Sequence, residues 1–339
     1  MKTKVLLVMV GAWICSVVSL SAQSIQTATL QKDDGVQVFY GADALINAVN
    51  AAQDGNIIYL SAGTFNGVQN LAKSIKIIGA GGFNADETKN TVINGNMSIS
   101  RIAESYADYL GLEEFVVKND FNIGNTYSGD DNSMIKIKKI KFESNVQFYT
   151  NSGNFFNIEI SQCVFKDLSF HQNANYTNIV ISNSIIAIMH NFVSTSSTIL
   201  IANTILFGDT NWAFSGISLQ NNIIVTNQNN NGPNSVYNNI FTGANNFPSV
   251  SNQSGNWENV TLSDLFVNQP ENKWDPSYDY HLKNPNNYIG TDGSQVGIYG
   301  GLFPWNPVPS NPQIIESKVN PTTTNDGKLN FQIKAEAQQ

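Results

Sequence analysis

The chain has 339 residues, of which 13% are charged, and a formal net charge of −8 at pH 7. That length suits one solenoid or two ordinary domains, and the charged share is about half the usual one. An acidic chain without a basic stripe is excluded as a nucleic-acid binder, whereas a polar, mostly uncharged surface suits contact with neutral glycans.

Residues 1–22 place Lys2 and Lys4 before the apolar run Val5–Val18 and the small-residue stretch Ser19–Ala22. This pattern predicts a cleavable secretory signal and an exported, secreted or cell-surface protein. Cleavage would take the charge from −8 to −10 and leave Cys163 as the sole cysteine, so no intrachain disulfide is expected. No later stretch is long and apolar enough for a transmembrane helix.

Residues 23–303 read as one domain. Gln23 to Lys32 is polar and reads as loose, and Val36–Phe39 reads as a first strand. From Asp43 to Ala52, Leu45, Ile46, Val49 and Ala52 fall on one helical face, followed by Asp54-Gly55 as a stop. This helix is expected to cap the first coil. Residues 56–60, 61–65 and 74–82 follow as strand, glycine turn and strand, and Thr91–Gly95 continues the pattern. Residues 101–131, which hold the only arginine, Arg101, break the pattern and read as an insertion packed on one flank. Pro304, Pro307, Pro309 and Pro312 mark a stiff linker, and 304–339 reads as an extension whose segments 314–319 and 329–335 can pair as a hairpin.

Between these lies a repeat. The phrase Ile160-Ser-Gln-Cys-Val-Phe165 returns at Ile181, Ile201, Leu219 and Val236, with first residues 21, 20, 18 and 17 apart. A weaker copy at Ile137 precedes the first by 23. Aliphatic residues flank a polar corner at Gln162, Asn183, Asn203, Asn221 and Asn238. Asn tolerates the left-handed backbone of a tight bend, and its amide both donates and accepts. Coils stacked at about 4.8 Å would bring these five amides into a ladder.

The repeat, together with helix, "GNIIYLSAGTF" and "SIKIIGAGG" in that order, resembles the secreted chains of the pectin-lyase-like superfamily. The resemblance implies an all-β fold, a right-handed parallel β-helix with an N-terminal capping helix. It also implies sites on one long strand face: lyases of that superfamily pair a calcium-holding carboxylate cluster with an Arg or Lys base, and hydrolases use two or three aspartates.

Those constellations are hard to find here. From Leu168 to Trp257 the only charged residue, histidines aside, is Asp209. His171, His190 and Asp209 are each 19 apart and are the catalytic candidates, a row that acid–base chemistry or a transition metal would suit if all point outward. Two histidines standing separately on a solvated strand is the plainer reading, since one residue of register flips the face. Lys136, Lys138, Lys139 and Lys141 read as the wet face of a strand, and Arg101, Glu104, Asp108, Glu113 and Glu114 as an exposed ion-pair cluster. Tyr149, Trp212 and Trp257 are the carbohydrate-binding candidates, because flat rings beside amides suit a sugar ring. Trp274, Trp305, Tyr278 and Tyr280 equally suit a cover over the last coils. No cofactor and no bound metal are expected. The expectation is a secreted, monomeric, non-catalytic β-helix protein that contacts polysaccharide or other cell-surface material. The alternative is a polysaccharide lyase or glycoside hydrolase of the same superfamily.

Overall fold

A computed structural model describes residues 25–100, 108–124, 131–150, 153–171, 173–191, 197–208, 216–225, 234–244, 250, 252–319, 326–328 and 330–336. They form a parallel β-solenoid of about seven turns. The coils pass in turn through a twelve-stranded sheet A and an eleven-stranded sheet B.

The repeat phrase is the hinge between the two sheets. In one coil, Asn175–Ser182 lies in sheet A, Asn183 and Ser184 turn the corner, and Ile185–Asn191 enters sheet B. Strand alternation then sorts the side chains. Inside sheet A, Ile77, Leu112, Ile137, Ile160, Ile181, Ile201, Leu219 and Val236 stack in register as one buried aliphatic column. The matching column of sheet B includes Phe142 and Phe165, whose rings stack at 5.1 Å. No coil buries a face of its own; each depends on the coil above and below it.

The corner residue is left-handed throughout. Glu114, Lys139, Gln162, Asn183, Asn203, Asn221 and Asn238 have φ between 47° and 67°. Their side chains do not bond to one another as a ladder of amides would. They reach outward to the C-terminal segment, residues 289–310, which runs up the corner as a strap. Asn238 donates to the Ile289 carbonyl, Asn183 to those of Ile298 and Gly300, and Gln162 to those of Phe303 and Pro304. Asn221 accepts from the Thr291 N–H at 2.9 Å. At the far end Lys139 Nζ donates to the Val308 carbonyl at 2.5 Å, and Glu114 accepts from the Ser310 N–H. Lys139 and Glu114 are themselves 3.9 Å apart with side chains only 2% and 1% exposed. Burial pulls the Lys139 ammonium down to about 8, although Glu114 opposes this.

The side-chain ladder belongs to the next residue. Cys163, Ser184, Thr204, Asn222 and Asn239 are all 0% exposed, and each accepts from, or donates to, its neighbour one coil away. Asn222 Nδ2 reaches Asn239 Oδ1 at 3.0 Å, and Asn239 Nδ2 reaches Asn256 Oδ1 at 3.3 Å. From Gln162 to Asn239 the two corner residues therefore divide their work: the first turns left-handed against the strap, and the second points inward and bonds along the stack. Burial pushes the Cys163 thiol in this column up to about 12, so it stays protonated.

Three segments differ from the sequence reading. Thr27–Lys32 is a strand with Ala28 and Leu30 fully buried, hairpinned to Gly35–Tyr40 and antiparallel to Ile57–Leu60. Its alternation is short enough to pass for loop. Residues 108–124, assigned to an insertion, complete a coil: Leu110–Glu113 lies in sheet A, Val116–Val117 and Phe121–Ile123 in sheet B. The corner there is Glu-Glu-Phe rather than an Asn phrase, which hid it; Arg101 and Glu104 lie outside the described residues. The helix Ala44–Ala51 packs Ala44, Leu45, Ala48 and Val49 into the first coil's core. The edge of sheet A at that end is the antiparallel strand Gly35–Tyr40, not the helix. At the other terminus Gln313–Val319 pairs with Phe331–Glu336 as a separate antiparallel sheet.

Candidate functional site

The outer face of sheet B splits into a covered half and an open half. Val164, Ile185, Ile205, Ile223 and Ile240 start the strands and point outward, where Leu265, Phe266, Tyr280, Leu282, Val296 and Ile298 cover them as a second hydrophobic cluster. Trp257 ends this layer. It bridges Ile240, bonds through its backbone to Asn239 and Phe241, and sets its ring against Tyr288 at 5.5 Å. Trp257 is thus half-buried packing between the last coil and its cover. Trp212 and Asp209 lie outside the described residues.

Further along the same strands the face is open. In Lys141–Phe148, Phe142, Val146 and Phe148 point inward, and Lys141, Glu143, Asn145 and Gln147 point outward around a register shift between Phe142 and Asn145. Register then aligns Ser98, Asn122, Gln147, Ser169 and His190 in one outward row, one residue per coil. Asn145 and Asp167 stand in the adjacent row. Asp120, just before Phe121, accepts a 2.8 Å bond from Ser144 Oγ on the neighbouring coil.

His171 and His190 do not share a row. His190 lies opposite Ser169, 21 residues earlier, so a 19-residue step falls two residues short of the coil period here. Two residues preserve the face and change the row. His171 instead sits beside Tyr149, ring centroids 5.0 Å apart. His190 finds the carboxylate that the sequence reading passed over: its Nε2 is 3.5 Å from Asp167 Oδ2. Burial raises the Asp167 carboxyl above its ordinary value, and His190 and Lys166 only partly offset this. Gln147, Tyr149, Ser169, His171 and His190 line a shallow groove of about 360 Å³. The row's amide, hydroxyl and imidazole groups repeat at about 4.8 Å, and the Tyr149 ring flanks them.

The lysine run is divided among three places because Lys139 turns the corner. Lys136 lies outward on sheet A, 3.5 Å from Glu159 and 4.7 Å over the Tyr109 ring. Lys139 is buried under the strap. Lys141 lies outward on sheet B, 2.7 Å from Glu143, which Lys118 also contacts at 2.5 Å. Burial pushes Glu143 up, but the hydrogen bonds from Lys118 and Lys141 hold it below its ordinary value. Of the expected acidic cluster, Glu114 is buried at the corner and Asp108 is exposed.

Asp167, Gln147, Ser169 and Asn122 carry no motif; only the register between coils brings them together. Among the described residues no three His, Cys, Asp or Glu converge as a metal would need, and no helix is long and apolar enough to cross a membrane. No protein-family model, no curated protein and no solved structure matches the chain.

Proposed function

We propose that this is an exported β-helix protein of the pectin-lyase-like kind whose open half of sheet B binds polysaccharide. The observation that carries the reading is the outward row Ser98, Asn122, Gln147, Ser169 and His190, with Tyr149 alongside. Five uncharged or weakly basic hydrogen-bonding groups in line, at a pitch near the length of one sugar residue, match the hydroxyls of an extended neutral glycan. A flat ring at the edge of the row offers the apolar face a pyranose stacks on. Affinity electrophoresis of the mature chain in gels holding neutral or acidic polysaccharides tests this. Retardation by a neutral polymer, lost in a Gln147→Ala, Tyr149→Ala double variant and kept in Ser218→Ala on sheet A, is the expected result. Equal migration in every gel refutes it.

A hydrolytic reading draws on one observation, the half-buried Asp167 held 3.5 Å from His190. A raised carboxyl beside an imidazole is an acid–base pair. Release of reducing ends by the purified chain, abolished in Asp167→Asn, would establish it; the binding reading expects none.

A further inference from the structure

A pocket of about 240 Å³ opens where the C-terminal cover meets the loop at residues 82–90 of an early coil. It lies on the same sheet face as the open groove but at the opposite end of the strand Lys141–Phe148, whose outward residues lead from one to the other. We propose that this pocket is a second sugar site, holding one uncharged pyranose ring. The proposal deepens the polysaccharide reading and rests on it for the class of ligand.

The walls are aromatic. Trp274, Trp305 and Tyr278 line the pocket, and Phe83 meets the Trp305 ring edge-on at 5.0 Å, which fixes its orientation. These rings come from a layer built to cover sheet B, yet here they stop short of the loop and leave a space between. The polar rim is also held in place. Asn84 Nδ2 donates to Asn90 Oδ1 at 3.1 Å, and Asn90 Nδ2 donates to the Asn84 backbone carbonyl at 3.3 Å. Asp275 spends one carboxylate oxygen on the Ser277 N–H and hydroxyl at 2.9 and 2.6 Å.

Charge narrows the ligand. Lys141 Nζ, 5.2 Å from the Trp274 ring centroid, sets a positive charge on the pocket wall that opposes a cationic ligand. Glu87 and Asp275 at the same rim oppose an anion. A neutral group with a C–H face and a hydroxyl edge remains, and a pyranose ring has both. The volume of about 240 Å³ has room for one ring.

The test titrates the full chain with a panel of neutral methyl pyranosides at millimolar concentration, followed by tryptophan emission and by ligand-detected saturation-transfer NMR. Tetramethylammonium and a uronic acid serve as charged probes. At least one neutral pyranoside should perturb emission. Its affinity should fall about tenfold in Trp274→Leu, the loss expected for one aromatic stacking partner, and stay unchanged in Tyr149→Ala. Asn84→Ala, which gives up one 3.1 Å bond at the rim and nothing in the packed aromatic layer, should weaken binding while the circular dichroism spectrum stays native. Binding that survives Trp274→Leu and Asn84→Ala, preference for either charged probe, or no response to any pyranoside overturns the pocket proposal. Failure of the wider reading looks different: pyranosides bind at Trp274 while no polymer retards the chain through Gln147 and Tyr149.

Discussion

Replacing Asn222 by Leu removes the centre of the inward ladder while keeping side-chain size. Asn222 Oδ1 accepts from the Thr204 N–H at 2.9 Å, and its Nδ2 donates to the Ile201 carbonyl at 2.8 Å and to Asn239 Oδ1 at 3.0 Å. Asn222, Asn239 and Thr204 are 0% exposed, so water cannot replace what Leu fails to supply. Asn239 Oδ1 keeps the Asn222 N–H at 2.9 Å, whereas the Thr204 N–H and one lone pair of Ile201 are orphaned. At ~1–3 kcal/mol for each buried group left unmade, the variant should lose about 4 kcal/mol. The neighbouring corner residue supplies the control. Asn203 has φ 50°, which Gly adopts freely, and its Nδ2 has no partner, so Asn203→Gly should cost about 1 kcal/mol or less. Urea unfolding followed by circular dichroism gives the two costs, and amide hydrogen exchange at Thr204 locates the first. The reasoning is refuted if Asn203→Gly costs as much as Asn222→Leu, or if exchange at Thr204 is unchanged.

Glu114→Gln should destabilise by about 3–5 kcal/mol, because it removes the buried carboxylate 3.9 Å from the Lys139 ammonium, and Lys139→Met in the same chain should recover part of that in a double-mutant cycle. Lys139 also sets a pH dependence. Its folded value of about 8 lies below its ordinary 10.5, so between these the unfolded chain binds the extra proton and this group's contribution to stability rises with pH. The stability difference between the native chain and Lys139→Met, measured at pH 7.5 and pH 10, should therefore shift toward the native chain at the higher pH; no shift, or the opposite one, refutes it. Gly300→Ala should loosen the strap, since a Cβ there would overlap the Gln295 carbonyl oxygen, and limited proteolysis within residues 289–310 should accelerate. Deleting residues 25–52 uncovers Ile58 and Leu60 and the edge of Ile57–Leu60, so the truncated chain should associate further than the full chain; light scattering showing no added association would remove the capping role from hairpin and helix together.

Much of the fold is legible because its signals are local. An apolar run, a polar pair and another apolar run, repeated at the coil length, name two strands and the bend between them, and Asn at the bend names the left-handed residue. The coil at 108–124 escaped because Glu114 and Phe115 occupy a corner that Asn and a small residue mark elsewhere, although the burial of Leu110, Leu112, Phe115 and Val117 follows the same rule. The expected corner residues do form a buried or half-buried column, but the bonds along the stack fall on the next residue, for a related reason. Both corner residues are polar in most copies, and composition cannot say which amide turns inward.

What the sequence alone determined is the period, the alternation and the polar corner, since backbone propensity and strand alternation act within a few residues. The tertiary structure alone decided the rest. It paired Asp167 with His190 rather than His171 with His190, because coil lengths of 21 and 22 residues, not 19, set which side chains face each other at that height. It also laid residues 289–310 across seven corners and left an aromatic pocket at the seam, contacts between residues 51 to 196 apart that no local pattern encodes.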